Sequence, residues 1–386
     1  MQTPERAPSV DDLAMEYLRG VEVGQPPDMA VLAARLPDAE SRDELRAIVE
    51  TAIWASSAFP EPFRPGVRIA NRYVLLEALG SGGFGKVWRA RDETLGVEVV
   101  LKLFHSLMDG AELESTLQRA RTSLSRWRHE GVARLLDSGR HRDTVYLARE
   151  FVPGRTLDQV LAASPARADA NRCREAVRIA LAVLEILVAA HQHGIHHGDL
   201  RPGNVLVGAD GRVLVLDFGL SGLGELTGVT RPGRLFGTVA YMAPEQLDTL
   251  GLRGDARTDL YQCGLVLYEL LTRRPAHADR DRIHLLNAVR TGRIAPPRQV
   301  CRGIPRDLAD ICMRALARLP GARYATAAAF ADDLGRWLAG GLPAASRRGP
   351  ASRACWRLCR SVRRHRLVVL AAGLVALAAT AWLLVG

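Results

Sequence analysis

A change in hydrophobic periodicity along the chain constrains the fold more than any other feature. From Tyr73 the segments RYVLLEALG, GKVWRARD, VEVVLKLF and TVYLARE have alternating or continuous apolar residues, many of them β-branched, separated by glycine-rich or polar turns. From about Leu157 helical patterns dominate, and the apolar segments 173–194 and 259–272 have the length of core helices. Strands followed by helices predict an α+β fold in which a β-rich lobe and a helical lobe enclose a cleft.

The rest of the chain divides into shorter segments around this region. The first sixty residues have helical periodicity interrupted by Gly-Gln-Pro-Pro and Leu-Pro-Asp. The stretch FPEPFRPG (59–66) marks the end of this segment. Proline- and glycine-rich breaks of this kind are typical of turns and linkers. The predicted organisation is a helical N-terminal segment (1–60), a linker (61–72), a two-lobed domain (73–338), a basic juxtamembrane linker (339–366) and a transmembrane helix (367–386).

The membrane prediction comes from the distribution of charge near the C-terminus. The formal net charge is +10, but eight arginines and no acidic residue lie between Gly341 and Arg366. The twenty residues that follow, 367–386, carry no charged side chain and are long enough to cross a bilayer. The alternative is a buried core helix. By the positive-inside rule the basic linker and everything before it are expected in the cytoplasm, which predicts a single-pass protein of the cell membrane.

Charge and cysteine content disfavour two other classes of protein. The basic charge flanks the apolar segment rather than marking a face of the domain, so no nucleic acid is expected as a partner. The six cysteines form no CxxC pair, which indicates neither a disulfide framework nor a zinc site. Four histidines in HQHGIHH (191–197) lack an acid or cysteine that would complete a metal site, and His197 is expected to orient its loop through hydrogen bonds.

Glycines are concentrated in LGSGGFGKV (79–87), between two predicted strands. Without a Cβ atom, a glycine lets backbone amides approach an anion closely, as phosphate binding requires. The glycines in question are Gly80, Gly82, Gly83 and Gly85. A glycine-rich hairpin that serves only as a turn is the alternative.

Lys102 lies within the apolar strand VVLKLF. Of 52 basic residues only Lys86 and Lys102 are lysines, so a lysine kept here suggests a site that needs a compact ammonium group. A buried ammonium is costly unless it has an anionic partner. Lys102 is therefore either a ligand for phosphate oxygens or a surface lysine at a sheet edge.

Three polar side chains follow in HHGDLRPGN (196–204) and LVLDFGL (214–220). Asp217 ends an apolar strand, from which a carboxylate can project into the cleft, and Asn204 supplies a second oxygen ligand. Mg²⁺ is usually held by one or two such ligands together with substrate phosphates. Asp199, in the same turn-rich loop as Asn204, is then available to accept the proton of a hydroxyl group.

In order and spacing these motifs resemble those of eukaryotic-type protein kinases over roughly residues 73–338. The resemblance covers the glycine-rich loop (Gly80–Val87), the strand lysine (Val99–Lys102), the catalytic loop (His197–Asn204), the metal-binding triplet (Asp217–Gly219) and the end of the activation segment (237–246). The joint occurrence is far more specific than any one motif. The arrangement is similar to that of bacterial, membrane-anchored serine/threonine kinases.

The resemblance implies a two-lobed kinase fold and transfer of the γ-phosphate of ATP to Ser or Thr hydroxyls of protein substrates. It implies Asp199 as base, Lys102 on the α- and β-phosphates, Arg201 in place of the lysine that usually touches the transferred phosphate, and Asn204 and Asp217 on Mg²⁺, with Mn²⁺ as the alternative. Homodimerisation is a family-level expectation. The residues expected around ATP are Gly80, Ser81, Gly82, Gly83, Phe84, Gly85, Val87 and Lys102.

The resemblance also implies two structural contacts, a brace from Asp259 to the catalytic loop and a pair between Arg323 and Glu245. Both belong to the helical lobe.

Three positions depart from the family pattern. Gly198 stands where an arginine often clasps a phosphorylated activation loop, so control by phosphorylation of Thr227, Thr230 or Thr238 through such a clasp is not expected. Ala120 stands where a helix glutamate usually pairs with the strand lysine, and Glu112 or Glu114 is the substitute to consider. Arg149 falls at the position behind the adenine pocket, where it either repels Lys102, pairs with a carboxylate such as Asp217, or points to solvent. These departures favour the alternative function, an inactive or weakly active pseudokinase that binds nucleotide or acts as a scaffold.

Overall fold

The computed structural model describes most of the region between residues 63 and 346 and part of the N-terminal segment. The described residues are 10, 13–14, 16–17, 27–57, 63–82, 85–104, 115, 117–118, 122, 127–142, 144–163, 170–218, 239–247, 255–278 and 282–346.

A six-stranded antiparallel sheet forms the first lobe, as the alternating pattern predicts. Its spatial order is β1-β2-β3-β4-β6-β5, so β4 is a central strand. The strands are β1 (Arg68–Ile69), β2 (Tyr73–Gly82), β3 (Gly85–Asp92), β4 (Val97–Phe104), β5 (Leu135–His141) and β6 (Thr144–Glu150).

The two faces of this sheet have different roles. Leu101 and Leu103 of β4 are buried with Tyr146 and Ala148 of β6 in an apolar cluster on one face. Because successive side chains of a strand point to opposite faces, Lys102 lies on the other face. That face meets the second lobe and carries the functional side chains.

Helices dominate the second lobe. The two long apolar segments are confirmed as core helices, because the helices that contain them supply much of a single large apolar cluster. The helices are α3 (Leu157–Ala163), α4 (Ala170–Gln192), α5 (Ala256–Thr272), α6 (Arg282–Thr291), α7 (Pro297–Val300), α8 (Arg306–Ala315) and α9 (Ala327–Leu338).

The chain also forms a second, small antiparallel sheet of three strands. Its strands are β7 (Gly154–Thr156), β8 (Val205–Gly208) and β9 (Val213–Val215), in the order β7-β8-β9. The loop from α4 to β8 carries Asp199, and Asp217 follows β9. Backbone hydrogen bonds, including Leu216 N to Asn204 O at 2.8 Å, hold these two segments side by side.

The described part of the N-terminal segment contains α1 (Met29–Ala33) and α2 (Ala39–Ser57). Leu13, Leu32, Leu36 and Leu45 are buried together there. No helix among the described residues is long and apolar enough to cross a membrane. The span predicted at 367–386 lies outside the described residues, and membrane anchoring stays a prediction.

Candidate active site

The loop between α4 and β8 ties Asp199 to Asn204. The Asn204 amide Nδ2 donates to the Asp199 backbone oxygen at 2.7 Å and to its Oδ2 at 3.2 Å. Pro202–Asn204 forms a short 3₁₀ turn, which closes the loop and brings the two side chains together. The sequence spacing of five residues thus becomes direct contact between the proposed base and one proposed metal ligand.

Lys102 and Asp217 form an ion pair between the two lobes. Lys102 Nζ lies 2.9 Å from Asp217 Oδ2, and the side chains are 17% and 15% exposed. This central position excludes a surface lysine at a sheet edge. Asp217 has a left-handed φ of 59°, a backbone conformation that is uncommon for a residue other than glycine.

Arg149 and Arg201 add two further cations near these carboxylates. Arg149 Nε lies 3.8 Å from Asp217 Oδ1 with its side chain 15% exposed, so Arg149 does not point to solvent. Of the three options for Arg149, the geometry therefore favours pairing with Asp217. Arg201 Nε lies 3.8 Å from Asp199 Oδ2.

The glycine-rich segment is the hairpin between β2 and β3. Gly80 and Ser81 lie on β2, Gly82 pairs with Gly85 at the end of the ladder, and Val87 pairs with Lys102. Gly83 and Phe84, at the tip, lie outside the described residues. The hairpin thus leads directly to the strand position occupied by Lys102.

Asp259 braces the catalytic loop from α5, as the resemblance implies. Its carboxylate is fully buried and accepts hydrogen bonds from the backbone N–H of His197 at 2.9 Å and of Gly198 at 2.7 Å. His191 Nε2 lies 2.7 Å from Asp259 Oδ2. His197 itself bonds the Leu216 oxygen through Nε2 at 2.8 Å and accepts from Asp199 N through Nδ1, which confirms its predicted role in orienting the loop.

Two glutamines hold the same loop, and the sequence reasoning missed both. Gln262 accepts from Leu200 N at 2.9 Å and donates to the Gly198 oxygen at 3.1 Å. Gln246 donates to the same oxygen at 2.9 Å. A signal for Gln262 was available, because it lies three residues after Asp259 on the same face of an otherwise apolar helix.

Glu245 and Arg323 form the implied buried pair. The two guanidinium ends lie 2.7 and 2.6 Å from the two Glu245 oxygens, and backbone oxygens of Arg257, Ala317 and Arg318 accept the remaining donors. The Arg323 side chain is fully buried. This bidentate contact fixes the end of the predicted activation segment to the loop that precedes α9.

The two aspartates have opposite pKa shifts. Burial raises the pKa of Asp199 above its ordinary range, although the charges of Arg201, His197 and Lys102 oppose this. Burial acts in the same direction on Asp217, but Lys102 and Arg149 outweigh it and hold the pKa of that carboxyl well below its usual range. Asp217 is therefore a permanent anion, whereas Asp199 is the better proton acceptor of the two.

The donor atoms fit a hard divalent cation. Asp217 Oδ1 is buried and accepts no hydrogen bond from the residues that the structure describes, so it is an anionic oxygen available for coordination. The Asn204 amide nitrogen is directed to Asp199, which leaves the carbonyl Oδ1 as the coordinating atom of that side chain. Oxygen ligands of this kind are those that Mg²⁺ and Mn²⁺ accept.

The departures from the family pattern are only partly within the described residues. Gly198 has a φ of 70°, and its N–H and C=O are both used by the brace from Asp259, Gln246 and Gln262. Ala120, Glu112 and Glu114 lie outside the described residues, as do the three threonines.

Comparison with known proteins identifies relatives of the two-lobed region. A family model described as a protein kinase domain matches residues 73–334. The chain is 36% identical over 274 residues to the DNA damage-responsive serine/threonine-protein kinase RqkA of Deinococcus radiodurans, covering 70% of this chain and 40% of that protein. It is 31% identical over 271 residues to a probable serine/threonine-protein kinase of Clostridium perfringens, covering 70% and 38% respectively.

A solved structure shares the fold. The crystal structure of the Mycobacterium tuberculosis PknI kinase domain matches with a TM-score of 0.55 and 26% identity, over 71% of this chain and 99% of that one. This likeness supports the two-lobed architecture. The chain spans about two-fifths of the length of the two curated relatives.

Proposed function

Because the chain belongs to the protein kinase family, we propose that it is a serine/threonine protein kinase that transfers the γ-phosphoryl group of ATP to protein substrates. One observation carries the proposal: Lys102 and Asp217 pair across the two lobes beside the tied residues Asp199 and Asn204. One ammonium and three oxygen-bearing side chains thus converge where phosphoryl transfer requires them.

Asp199 acts as the base in this proposal. Its Oδ2 accepts from Asn204 Nδ2, while its Oδ1 makes no hydrogen bond to a described residue and can accept one from a substrate hydroxyl. As the hydroxyl oxygen bonds to the γ-phosphorus, the bond from that phosphorus to the β,γ-bridging oxygen breaks, ADP leaves, and the hydroxyl proton passes to Asp199. The raised pKa of Asp199 makes the carboxylate a stronger proton acceptor than a freely solvated one.

Lys102 and Arg201 would bind phosphate oxygens from two sides. Lys102 is already on the cleft face of β4, where binding would exchange part of its contact with Asp217 for the α- and β-phosphates. Arg201 Nε is buried without a hydrogen-bond partner among the described residues, so this donor is proposed to bind the transferred group. The backbone N–H groups of the hairpin from Gly80 to Val87 would donate hydrogen bonds to the phosphates.

Asn204 and Asp217 would hold the divalent cation. A bound Mg²⁺, or Mn²⁺ as the alternative, neutralises charge on the phosphates during transfer. Among the described residues these are the side chains whose oxygen atoms best suit that task, since one is an orphaned buried carboxylate oxygen.

The test of this function is phosphotransfer followed by identification of the acceptor residue. The full chain, purified with detergent, is incubated with γ-labelled ATP, Mg²⁺ and a generic basic protein, with Lys102→Met as the inactive control. Phosphoserine or phosphothreonine formed by the wild type and absent with Lys102→Met is the expected result. Label on tyrosine, or equal label with both proteins, would contradict the proposal.

A second candidate function, a nucleotide-binding pseudokinase, is favoured by the approach of Arg149 to Asp217. A cation at this carboxylate opposes a metal ion there. The two functions differ in one measurement, because the pseudokinase would bind an ATP analogue in a thermal-shift experiment and yet transfer no label under varied Mg²⁺ and Mn²⁺.

The proposed place of the kinase is the cytoplasmic side of the cell membrane, held by residues 367–386. Support comes from the apolar span and its eight flanking arginines. The expected result is that the full chain stays in the membrane fraction after carbonate extraction, whereas a chain ending at residue 346 does not. Equal release of both would refute the anchor.

Self-association is a further, family-level proposal. The molar mass of the full chain in detergent tests it.

A further inference from the structure

Arg149 lies on the same face of the sheet as the lysine of the active site. In the antiparallel register of β4 and β6, Val100 pairs with Arg149 and Lys102 pairs with Leu147. Residues paired across two strands point to the same face, and so do residues two apart on one strand. Arg149 therefore faces Asp217 because of the sheet register.

The two oxygens of Asp217 each have a cation nearby. Lys102 Nζ donates to Oδ2 at 2.9 Å, a direct hydrogen bond. Arg149 Nε lies 3.8 Å from Oδ1, which is beyond hydrogen-bonding distance, so the attraction there is Coulombic. Oδ1 remains buried and accepts no hydrogen bond from a described residue. Both a guanidinium and a metal ion would be drawn toward this atom.

Arg149 is held differently from the structural arginines of this protein. Arg72 donates to Asp92 and Asp137, and Arg323 donates to Glu245 and three backbone oxygens. The Arg149 guanidinium, in contrast, makes no hydrogen bond to any residue in the described part of the chain, and the side chain is only 15% exposed. A largely buried guanidinium that no hydrogen bond to a described residue holds in place can move when another cation takes its counter-charge.

We propose that Arg149 competes with the divalent cation for Asp217 and thereby sets the metal concentration at which the kinase becomes loaded. A metal ion on Asp217 must approach the positive charge of Arg149 and displace it from its counter-ion, and both effects weaken metal binding. Arg149 is thus a positioning residue that holds Asp217 before loading and opposes the loaded state. This inference rests on the proposed metal site.

The experiment measures metal binding directly, without turnover. Bound Mn²⁺ is counted by electron paramagnetic resonance in the full chain saturated with a non-hydrolysable ATP analogue, with analogue alone as the correction. Arg149→Met removes the charge at similar length and is expected to lower the apparent Kd for Mn²⁺ by about tenfold. Arg149→Lys keeps the charge and is expected to stay within about threefold of the wild type.

Arg91→Met is the matched control, since it removes one positive charge from an exposed position on β3, which β4 separates from β6, and should leave Mn²⁺ affinity unchanged. Asp217→Asn should abolish the binding that these variants modulate. Equal or weaker Mn²⁺ binding by Arg149→Met would overturn the inference while leaving the proposed kinase standing. Failure of the wild type to bind Mn²⁺ any better than Asp217→Asn would overturn the metal site and the inference together.

Discussion

Asp259 is a single buried carboxylate that fixes the conformation of the loop carrying Asp199. Two consecutive backbone N–H groups, those of His197 and Gly198, donate to it, and the ring of His191 lies against it. Burial opposes its ionisation, but these hydrogen bonds and the nearby His197 prevail and lower the pKa of Asp259. The backbone conformation of this loop is therefore fixed by a residue in the core of the helical lobe rather than by the turn residues of the loop itself.

Asp259→Asn is therefore expected to affect both stability and turnover. The substitution replaces one carboxylate oxygen, a hydrogen-bond acceptor, by an NH₂ group, which is a donor. This donor would face a buried backbone N–H, and leaving such a group unsatisfied costs about 1–3 kcal/mol. We expect a loss of about 3 kcal/mol in the free energy of unfolding and a fall of about 100-fold in kcat from misplacement of Asp199. Urea denaturation and steady-state kinetics measure the two effects.

Asp333→Asn is the matched control for that substitution. Asp333 is also buried and accepts from two backbone N–H groups, those of Ala344 and Ala345, but it lies on α9 away from the site. A similar loss of stability with unchanged kcat is expected. If both variants lowered kcat equally, the brace would have no specific effect on the loop.

The Glu245–Arg323 pair gives a second prediction at the residue scale. Glu245→Gln leaves a guanidinium buried without its anion and is expected to cost about 3–5 kcal/mol in the free energy of unfolding. The double variant Glu245→Leu with Arg323→Met removes both charges and should lose less than Glu245→Gln alone. A double variant less stable than the single one would show that the pair is not the source of the effect.

The same pair predicts how stability depends on pH. Burial raises the pKa of Glu245, but the bonds from Arg323 outweigh it, so the folded-state pKa is lowered. The contribution of the pair is then complete above the ordinary glutamate value of about 4.3 and is lost as the pH falls through the folded-state pKa. The stability difference between wild type and Glu245→Gln should shrink over that acidic range.

At the scale of elements, the hairpin of β2 and β3 shows which glycines the fold itself requires. Gly85 has a φ of 154°, and a Cβ atom there would lie 1.8 Å from the Leu103 backbone oxygen on β4. A Cβ atom on Gly80 would meet nothing within 4 Å. Gly85 is thus needed for strand pairing, whereas a requirement for glycine at position 80 would have to come from a ligand.

Gly85→Ala is accordingly expected to disrupt the pairing of β3 with β4 and to cost about 3 kcal/mol or more. Gly80→Ala should stay within about 0.5 kcal/mol of the wild type. Thermal unfolding of the two variants provides the comparison. Equal stability of both would mean that β3 does not approach β4 as closely as described.

Sequence periodicity predicted most of these elements, because alternation on β2 to β4 and long apolar runs in α4 and α5 reflect burial directly. It did not decide the orientation of Arg149, because the register of β4 against β6, which puts Lys102 and Arg149 on one face, is a property of the folded sheet. Gln246 was not found because nothing local distinguishes it from a surface residue. Its function depends on contact with Gly198, 48 residues away, which only tertiary structure supplies.

At the scale of the whole molecule, the Lys102–Asp217 pair joins a β-rich lobe to a helical lobe. The sheet supplies the lysine and the arginine, while the small second sheet and α5 position the aspartates and Asn204. The order of motifs predicted this division, because the glycine-rich hairpin and Lys102 precede the helices and Asp199 follows α4. The side-chain network that holds the loop could not be read from motif order, since it depends on how α5 packs beneath it.

The most direct test of phosphoryl transfer by this site is the single-turnover rate of Asp199→Asn. The full chain is mixed with labelled Mg-ATP and a basic protein acceptor, and the affinity for a non-hydrolysable ATP analogue is measured on the same preparations. General-base catalysis typically contributes about 10²–10⁴-fold, so the variant should transfer phosphate at least about 100-fold more slowly with unchanged analogue affinity. Transfer at the wild-type rate by Asp199→Asn would contradict the assignment of Asp199 and of the kinase site built around it.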